Sequence, residues 1–308
     1  GFAHLFEHMM FQGSANVGKG DHFQLVMNRG GSMNGTTSED RTNYFETLPA
    51  NELELGLWLE ADRMRSLAVT AENFENQRQT VMEERRQRVD NQPYGASWLR
   101  IEELSYGDYW PYAHRTIGDM QDLVDAPLGA DQQFFHDYYT PNNAVLAISG
   151  DFEPGEALAL VRRHFDGIAS RERPVTRDYT FTPPTSERAD MMVDTTAPLP
   201  AFHLSYPIPS ARHEDHYALE MLNVILSDGD SSRLHARLVR GDELCLQVAG
   251  FTGDRRGPDD FRFWGVMNQG HQPAEARAVI SEVLASVAAE GVTERELQKA
   301  RNRARMYF

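Results

Sequence analysis

The first eleven residues constrain the fold most strongly, because they combine an apolar helix with three polar side chains. His4 and His8 are four residues apart, so on an α-helix both imidazoles lie on one face, one turn apart. Glu7 immediately precedes His8 in the sequence. The other positions are mostly large and apolar, namely Phe2, Leu5, Phe6, Met9, Met10 and Phe11. A helix that is apolar almost all round is typical of a protein core, where polar groups need partners.

Two histidines and a glutamate in one buried turn indicate a metal site. A catalytic zinc ion takes three protein ligands and keeps a fourth position for water. His4 and His8 are therefore predicted metal ligands, and Glu7 is predicted to act as general base. The pattern H-x-x-E-H is the zinc-peptidase motif H-E-x-x-H in reverse order. A motif this short also arises by chance, so the prediction requires a third ligand elsewhere in the chain.

The third ligand is predicted from the helical pattern of residues 72–89. An apolar side at helical spacing is formed by Phe74, Val81, Met82 and Val89. Glu84 flanks that side, whereas Glu83 points the opposite way. A carboxylate at the edge of the core is the better ligand, so Glu84 is preferred. The alternative is that both glutamates are solvated charges on a helix rich in Arg and Glu.

Together these motifs resemble the pitrilysin/insulinase type of zinc metallopeptidase, the inverzincins, which includes the mitochondrial processing peptidase and insulin-degrading enzyme. That family pairs H-x-x-E-H with a later helix reading roughly E-R-x-V-V-x-E-E, whose second glutamate aligns with Glu84. The family's glutamate that orients the zinc ligands aligns with Gln77, which keeps hydrogen-bonding capacity but lacks the charge. The resemblance implies one Zn²⁺ per chain, held by His4, His8 and Glu84.

Further family motifs follow in the same order. The stretch 30–45 resembles G-G-x-x-N-A-x-T-x-x-x-T-x-Y, and the motifs P-N-N-A, G-D-F and S-S-R-L are matched at 141–144, 150–152 and 231–234. Residues 32–37 and 41–48 are predicted to form two strands joined by a polar turn. The resemblance implies that the first strand takes a peptide substrate as an added β-strand, with Asn34, Gly35 and Thr36 in contact. From the residues alone, the alternative is an ordinary hairpin.

An Arg/Tyr pair that contacts substrate near the zinc in this family is missing. In the motif that follows S-S-R-L, the Arg position corresponds to Val239 and the Tyr position to Leu246. In two-chain and tandem members, one half carries zinc and the other carries the pair. The resemblance therefore implies a homologous second half or subunit that supplies the Arg/Tyr pair. The alternative is that Arg240, or another donor, replaces it.

The resemblance implies a zinc-dependent endopeptidase or oligopeptidase that hydrolyses extended peptides. One alternative is a non-catalytic scaffold subunit of the same fold, although such subunits typically lose the metal motif. Another is an unrelated metal-binding protein with a chance motif. A net charge of −16 argues against nucleic acid as a partner. No apolar run is long enough to span a membrane.

Helices that alternate with hairpin-type strands predict an α+β fold, and the resemblance implies two homologous layered α/β-sandwich domains of the processing-peptidase-like type. The zinc-bearing domain is expected at 1–168, a linker at 169–187, and a second domain without a metal motif at 188–308. Both ends fall inside helices, so we expect a fragment cut at both ends. Helices are predicted at 51–66, 72–89, 94–105, 129–139, 154–165, 214–227, 231–240, 273–289 and 293–307. Strands beyond the hairpin are predicted at 143–149, 190–194, 201–206, 244–250 and 261–267.

Overall fold

The computed structural model describes residues 1–172 and 177–306, in two compact units of helix and strand. One unit comprises Gly1–Gln87 and Arg115–Asp178, and the other comprises Arg88–His114 and Tyr179–Phe308. The α+β class is confirmed. The predicted domain boundaries remain a prediction, and the structure groups residues 88–114 with the second unit. Part of the predicted linker, 173–176, and the end of the last predicted helix, 307, lie outside the described residues.

The described part of the chain contains α-helices, β-strands and short helical turns. The α-helices are α1 (Phe2–Met9), α2 (Asp21–Met27), α3 (Leu53–Ser66), α4 (Ala71–Arg85), α5 (Gly95–Tyr106), α6 (Met120–Asp125), α7 (Leu128–Tyr138), α8 (Pro154–Phe165), α9 (His216–Ser227), α10 (Pro273–Glu290) and α11 (Glu294–Arg305). The strands are β1 (Ser32–Thr37), β2 (Thr42–Thr47), β3 (Ala201–Ile208), β4 (Cys245–Thr252) and β5 (Asp259–Met267). Short 3₁₀ turns span Ala50–Glu52 and Pro141–Asn143, and π-helical turns span Arg86–Asp90 and His235–Gly241.

Helix α1 is held in the core of the first unit by its apolar side. Leu5, Phe6 and Met9 are completely buried, in one cluster with Phe74 and Val81 of α4. Each such side chain stabilises the fold by about 1.5–3 kcal/mol. The predicted burial of this helix is confirmed, and its packing fixes which way the polar side of α1 faces.

The first unit contains the predicted hairpin. Strands β1 and β2 pair antiparallel, with Asn34 opposite Phe45 and Gly35 opposite Tyr44. The turn is closed by a hydrogen bond from Ser38 N to Arg41 O. Residues Tyr44 and Glu46 of β2 alternate with more exposed neighbours, which is the pattern of a half-buried strand.

The second unit is built on an antiparallel sheet in the order β3-β5-β4. Its core includes Leu226, Leu238, Phe263, Met267 and Ile280, which come from helical segments and from β5. All three of its strands were predicted in place. The helix predicted at 231–240 is confirmed as a helical segment, and its hydrogen bonding is of the π type at His235–Gly241.

Two further predicted strands are wrong. Residues 143–149 and 190–194 pair with no strand in the described part of the chain, and most of their backbone has no regular structure. Val145 is 96% exposed and Met191 is 90% exposed. A β-strand requires a hydrogen-bonding partner as well as an apolar pattern, and these segments have only the pattern.

None of the helices within 1–172 and 177–306 is long and apolar enough to cross a membrane.

Asp131 in α7 is a buried acid whose ionisation should oppose folding. The residue is completely buried, and neither carboxylate oxygen has a hydrogen-bond partner among the described residues. Burial raises the pKa of this carboxyl to about 7. The folded protein therefore holds the proton more tightly than the unfolded chain does, and stability is lost as the pH rises towards 7.

We expect Asp131→Asn to stabilise the protein at pH 8 by roughly 2 kcal/mol or more, because the amide cannot ionise. At pH 4.5 the gain should fall to about 1 kcal/mol, because the folded carboxyl is then protonated and only the unfolded chain is ionised. Urea unfolding at both pH values measures the difference, with Asp125→Asn as the control at an exposed position. An equal effect of Asp131→Asn at both pH values would contradict an ionisation penalty.

Candidate metal centre and peptide-binding edge

The two histidines of α1 project from the same side of the helix. Their ring centroids are 4.9 Å apart, and the rings lie nearly perpendicular, at 81°. The side chain of His4 is 12% exposed and that of His8 is 25% exposed, so both are largely sheltered from solvent. The apolar residues of α1 face the core, and the polar trio therefore faces α4 and the hairpin.

Glu84 meets the two histidines from α4. Its Oε2 atom lies 3.5 Å from His4 Nε2 and 3.3 Å from His8 Nε2. Two ligand atoms of a tetrahedral zinc ion are separated by roughly 3.3 Å, given zinc–ligand distances of about 2.0–2.1 Å. All three ligand atoms lie within 4.8 Å of one another. The donor set of two imidazoles and one carboxylate therefore fits zinc in both chemistry and spacing.

The neighbouring Glu83 is in a different environment. Its side chain is 54% exposed and pairs with Arg86, and it also accepts a hydrogen bond from Gln87. The Glu84 side chain is only 15% exposed. The helix therefore directs the two adjacent carboxylates to opposite environments, as its apolar pattern predicts, and the ligand roles of His4, His8 and Glu84 stay predictions.

Glu7 lies between the histidines and the hairpin. Its Oε2 accepts a hydrogen bond from Thr37 Oγ1. Gly35 approaches the same side chain so closely that a Cβ atom there would lie 3.0 Å from Glu7 Cγ. Thr37 was not among the predicted site residues. It follows Gly35 by two residues and so faces the same side of the strand, but its contact with Glu7 depends on how α1 packs against β1.

Strand β1 presents an edge beside Glu7. Its partner is β2, and none of the other described strands pairs with it. Of the predicted substrate-binding residues, Asn34 and Thr36 are exposed and Gly35 is buried against Glu7. Asn34 Oδ1 accepts from Gly35 N at 2.9 Å, and Thr36 Oγ1 accepts from Arg41 at 2.9 Å. An open edge of this kind can bind an extended peptide through backbone hydrogen bonds.

The other predicted positions are Gln77, expected to orient the zinc ligands, and Val239 and Leu246, at the positions of the Arg/Tyr pair. Gln77 is buried in α4, and its amide donates to Asn76 Oδ1 at 2.8 Å. Its role in orienting zinc ligands stays a prediction. In the second unit, Val239 lies in the π-helical turn and Leu246 lies in β4 with 54% of its surface exposed. Neither side chain can donate a hydrogen bond.

Comparison with known protein families matches most of the chain. The family model for insulinase (peptidase family M16) matches residues 1–104, which include His4, Glu7, His8 and Glu84. The model for the peptidase M16 inactive domain matches residues 132–304. The metal-ligand candidates therefore lie outside the match to the inactive domain.

Curated relatives are zinc proteases. Zinc protease PqqE of Helicobacter pylori is 31% identical over 92% of this chain, which spans 64% of that protein. The uncharacterized zinc protease ML0855 of Mycobacterium leprae is 29% identical over 99% of this chain and 68% of its own length. A solved protease structure from Helicobacter pylori has a TM-score of 0.93 at 28% identity, covering 100% of this chain and 75% of that one. Pitrilysin, at 15% identity and a TM-score of 0.66, shares the fold.

Proposed function

The chain belongs to the M16 (insulinase) family of peptidases, and we propose that it is the zinc-bearing half of an enzyme that hydrolyses extended peptides. The observation that carries this proposal is the convergence of His4, His8 and Glu84 beside Glu7. Scaffold subunits of this fold typically lose the metal motif, whereas all four of these residues are present here. Zinc is also named in the curated relatives.

The side chains around the ligands support a hydrolytic role. When bound, zinc would polarise the scissile carbonyl and favour deprotonation of water. Glu7 takes the proton from the attacking water and delivers it to the nitrogen of the leaving amine. Thr37 holds Glu7 Oε2 by a hydrogen bond, so the carboxylate is oriented before substrate arrives.

The edge of β1 supports binding of an extended substrate. A peptide that adds to β1 as a further strand would run past Glu7, because Gly35 contacts that side chain. Backbone hydrogen bonds give affinity with little demand on sequence, and the exposed Asn34 and Thr36 side chains add selectivity. This arrangement favours unfolded or extended peptides over compact proteins.

A homologous second half is part of the proposal. The positions of the Arg/Tyr pair are occupied by Val239 and Leu246, whose side chains are apolar. A tetrahedral oxyanion needs hydrogen-bond donors in addition to zinc, and loss of one such donor costs about a hundredfold to a thousandfold in rate. We infer that a partner half, covalent or separate, supplies them.

The test is hydrolysis of a quenched fluorescent peptide library by the purified chain, with zinc content measured in the same sample. We expect one zinc per chain at the His4/His8/Glu84 site and hydrolysis only after addition of a homologous M16 half that carries the Arg/Tyr pair. The control is the same half with both of those side chains replaced.

Full activity of the chain alone would refute the requirement for a partner. Zinc at this site without hydrolysis in any combination would favour the scaffold alternative, since metal binding would then serve no turnover. Absence of zinc at this site would refute the peptidase proposal itself.

A further inference from the structure

A second cluster of metal-ligand side chains lies in the first unit, away from the His4/His8/Glu84 set. It consists of His22 from α2, Glu46 from β2 and Glu60 from α3. One ligand atom from each lies within 4.8 Å of the other two. His22 Nε2 contacts Glu46 Oε1 directly. Three separate elements of the chain thus converge on one point.

The cluster is sheltered from water. The side chain of His22 is 4% exposed and that of Glu46 is 7% exposed, while Glu60 is 25% exposed. Glu46 Oε2 is buried and has no hydrogen-bond partner among the described residues. A buried carboxylate oxygen without a partner is costly, so its persistence calls for a proton or a cation.

The charges of the cluster favour a cation. Arg63 lies beside it, donates to Glu60 Oε2 from Nε at 2.9 Å, and contacts Glu60 Oε1 through Nη2. The guanidinium carbon of Arg63 also lies 4.6 Å from the centroid of the Tyr44 ring, which holds it in place. One positive charge therefore faces two carboxylates, so the cluster needs a further cation or a proton to be electrically neutral.

The side chains of the cluster are of types that bind metal ions. A neutral imidazole presents one ring nitrogen as an acceptor. A neutral imidazole with two carboxylates is a ligand set that suits divalent ions such as zinc, manganese and iron.

We propose that His22, Glu46 and Glu60 form a second site for a divalent transition-metal ion. Arg63 remains bound to Glu60 and orients that carboxylate, as residues behind metal ligands commonly do. The ion would link α2, β2 and α3 and thereby stabilise the folded unit. This proposal does not depend on peptide hydrolysis, so it is tested by metal binding and not by activity.

The test uses Zn²⁺ as the probe. The metal-free chain is titrated by calorimetry, and the zinc bound is counted by native mass spectrometry. We expect two zinc ions in the wild-type chain, one in the His4→Ala/His8→Ala variant, and none when Glu46→Gln is added to that variant. Glu52→Gln removes a partly sheltered carboxylate that pairs with Arg29 outside the cluster; it is the matched control and should leave the count unchanged.

Two results would overturn the proposal. One is a folded His4→Ala/His8→Ala variant that binds no zinc, which would mean that His22 and Glu46 share only a proton. The other is zinc retained after the addition of Glu46→Gln, which would place that ion elsewhere. If the histidine variant fails to fold, Glu46→Gln in the wild-type background gives the same comparison. A fall from two zinc ions to one supports the site, and an unchanged count refutes it.

Discussion

Replacing Glu7 with glutamine is expected to slow peptide hydrolysis at least about a hundredfold. That factor is the lower end of the usual range for the contribution of a general base. Glutamine has nearly the same shape and can still interact with Thr37, but its amide cannot accept the proton from water. Zinc content should remain unchanged, because Glu7 is not among the proposed ligands. The measurement is the rate of peptide cleavage in the presence of the partner half, together with bound zinc.

The control for Glu7→Gln is Glu72→Gln, which removes an exposed carboxylate in the first turn of α4. Its rate should match that of the wild type. Near-normal hydrolysis by Glu7→Gln would remove this residue from the mechanism. Loss of zinc from Glu7→Gln would instead show that the carboxylate contributes to metal binding.

Replacing Glu84 with alanine is expected to weaken zinc binding by more than about a hundredfold. Loss of a residue that only orients a metal ligand weakens binding by at most about that factor, and loss of a ligand should cost more. The reason is that Glu84 Oε2 is the third atom of the proposed set, at 3.5 and 3.3 Å from the two histidines. Competition with a chromogenic chelator measures the zinc affinity. Zinc bound at the second proposed site would obscure this change. Both proteins therefore also carry Glu46→Gln, which removes that site.

Glu83→Ala is the matched control for Glu84→Ala, because it removes an adjacent glutamate from the same helix. Its side chain is 54% exposed and pairs with Arg86, so zinc affinity should stay at the wild-type level. The reverse result, with zinc lost in Glu83→Ala and kept in Glu84→Ala, would identify the other carboxylate as the ligand. Wild-type affinity in both variants would show that neither glutamate binds zinc.

The sequence predicted secondary structure best where the segments that pair with each other are close in the chain. The hairpin β1–β2 is an example, since both strands and their turn lie within 32–47. The strands predicted at 143–149 and 190–194 failed because pairing is a long-range property. Their apolar residues satisfy the pattern of a strand, yet Val145 and Met191 remain almost fully exposed.

The α-helical spacing by itself determined that His4 and His8 share a face, and the apolar side of α4 determined that Glu84 turns inward. Those features follow from 3.6 residues per turn and from burial of apolar surface, which act over a few residues. Only the tertiary structure decided that Thr37 binds Glu7 and that His22, Glu46 and Glu60 converge. Such contacts depend on the packing of separate elements, whose relative positions no local period specifies.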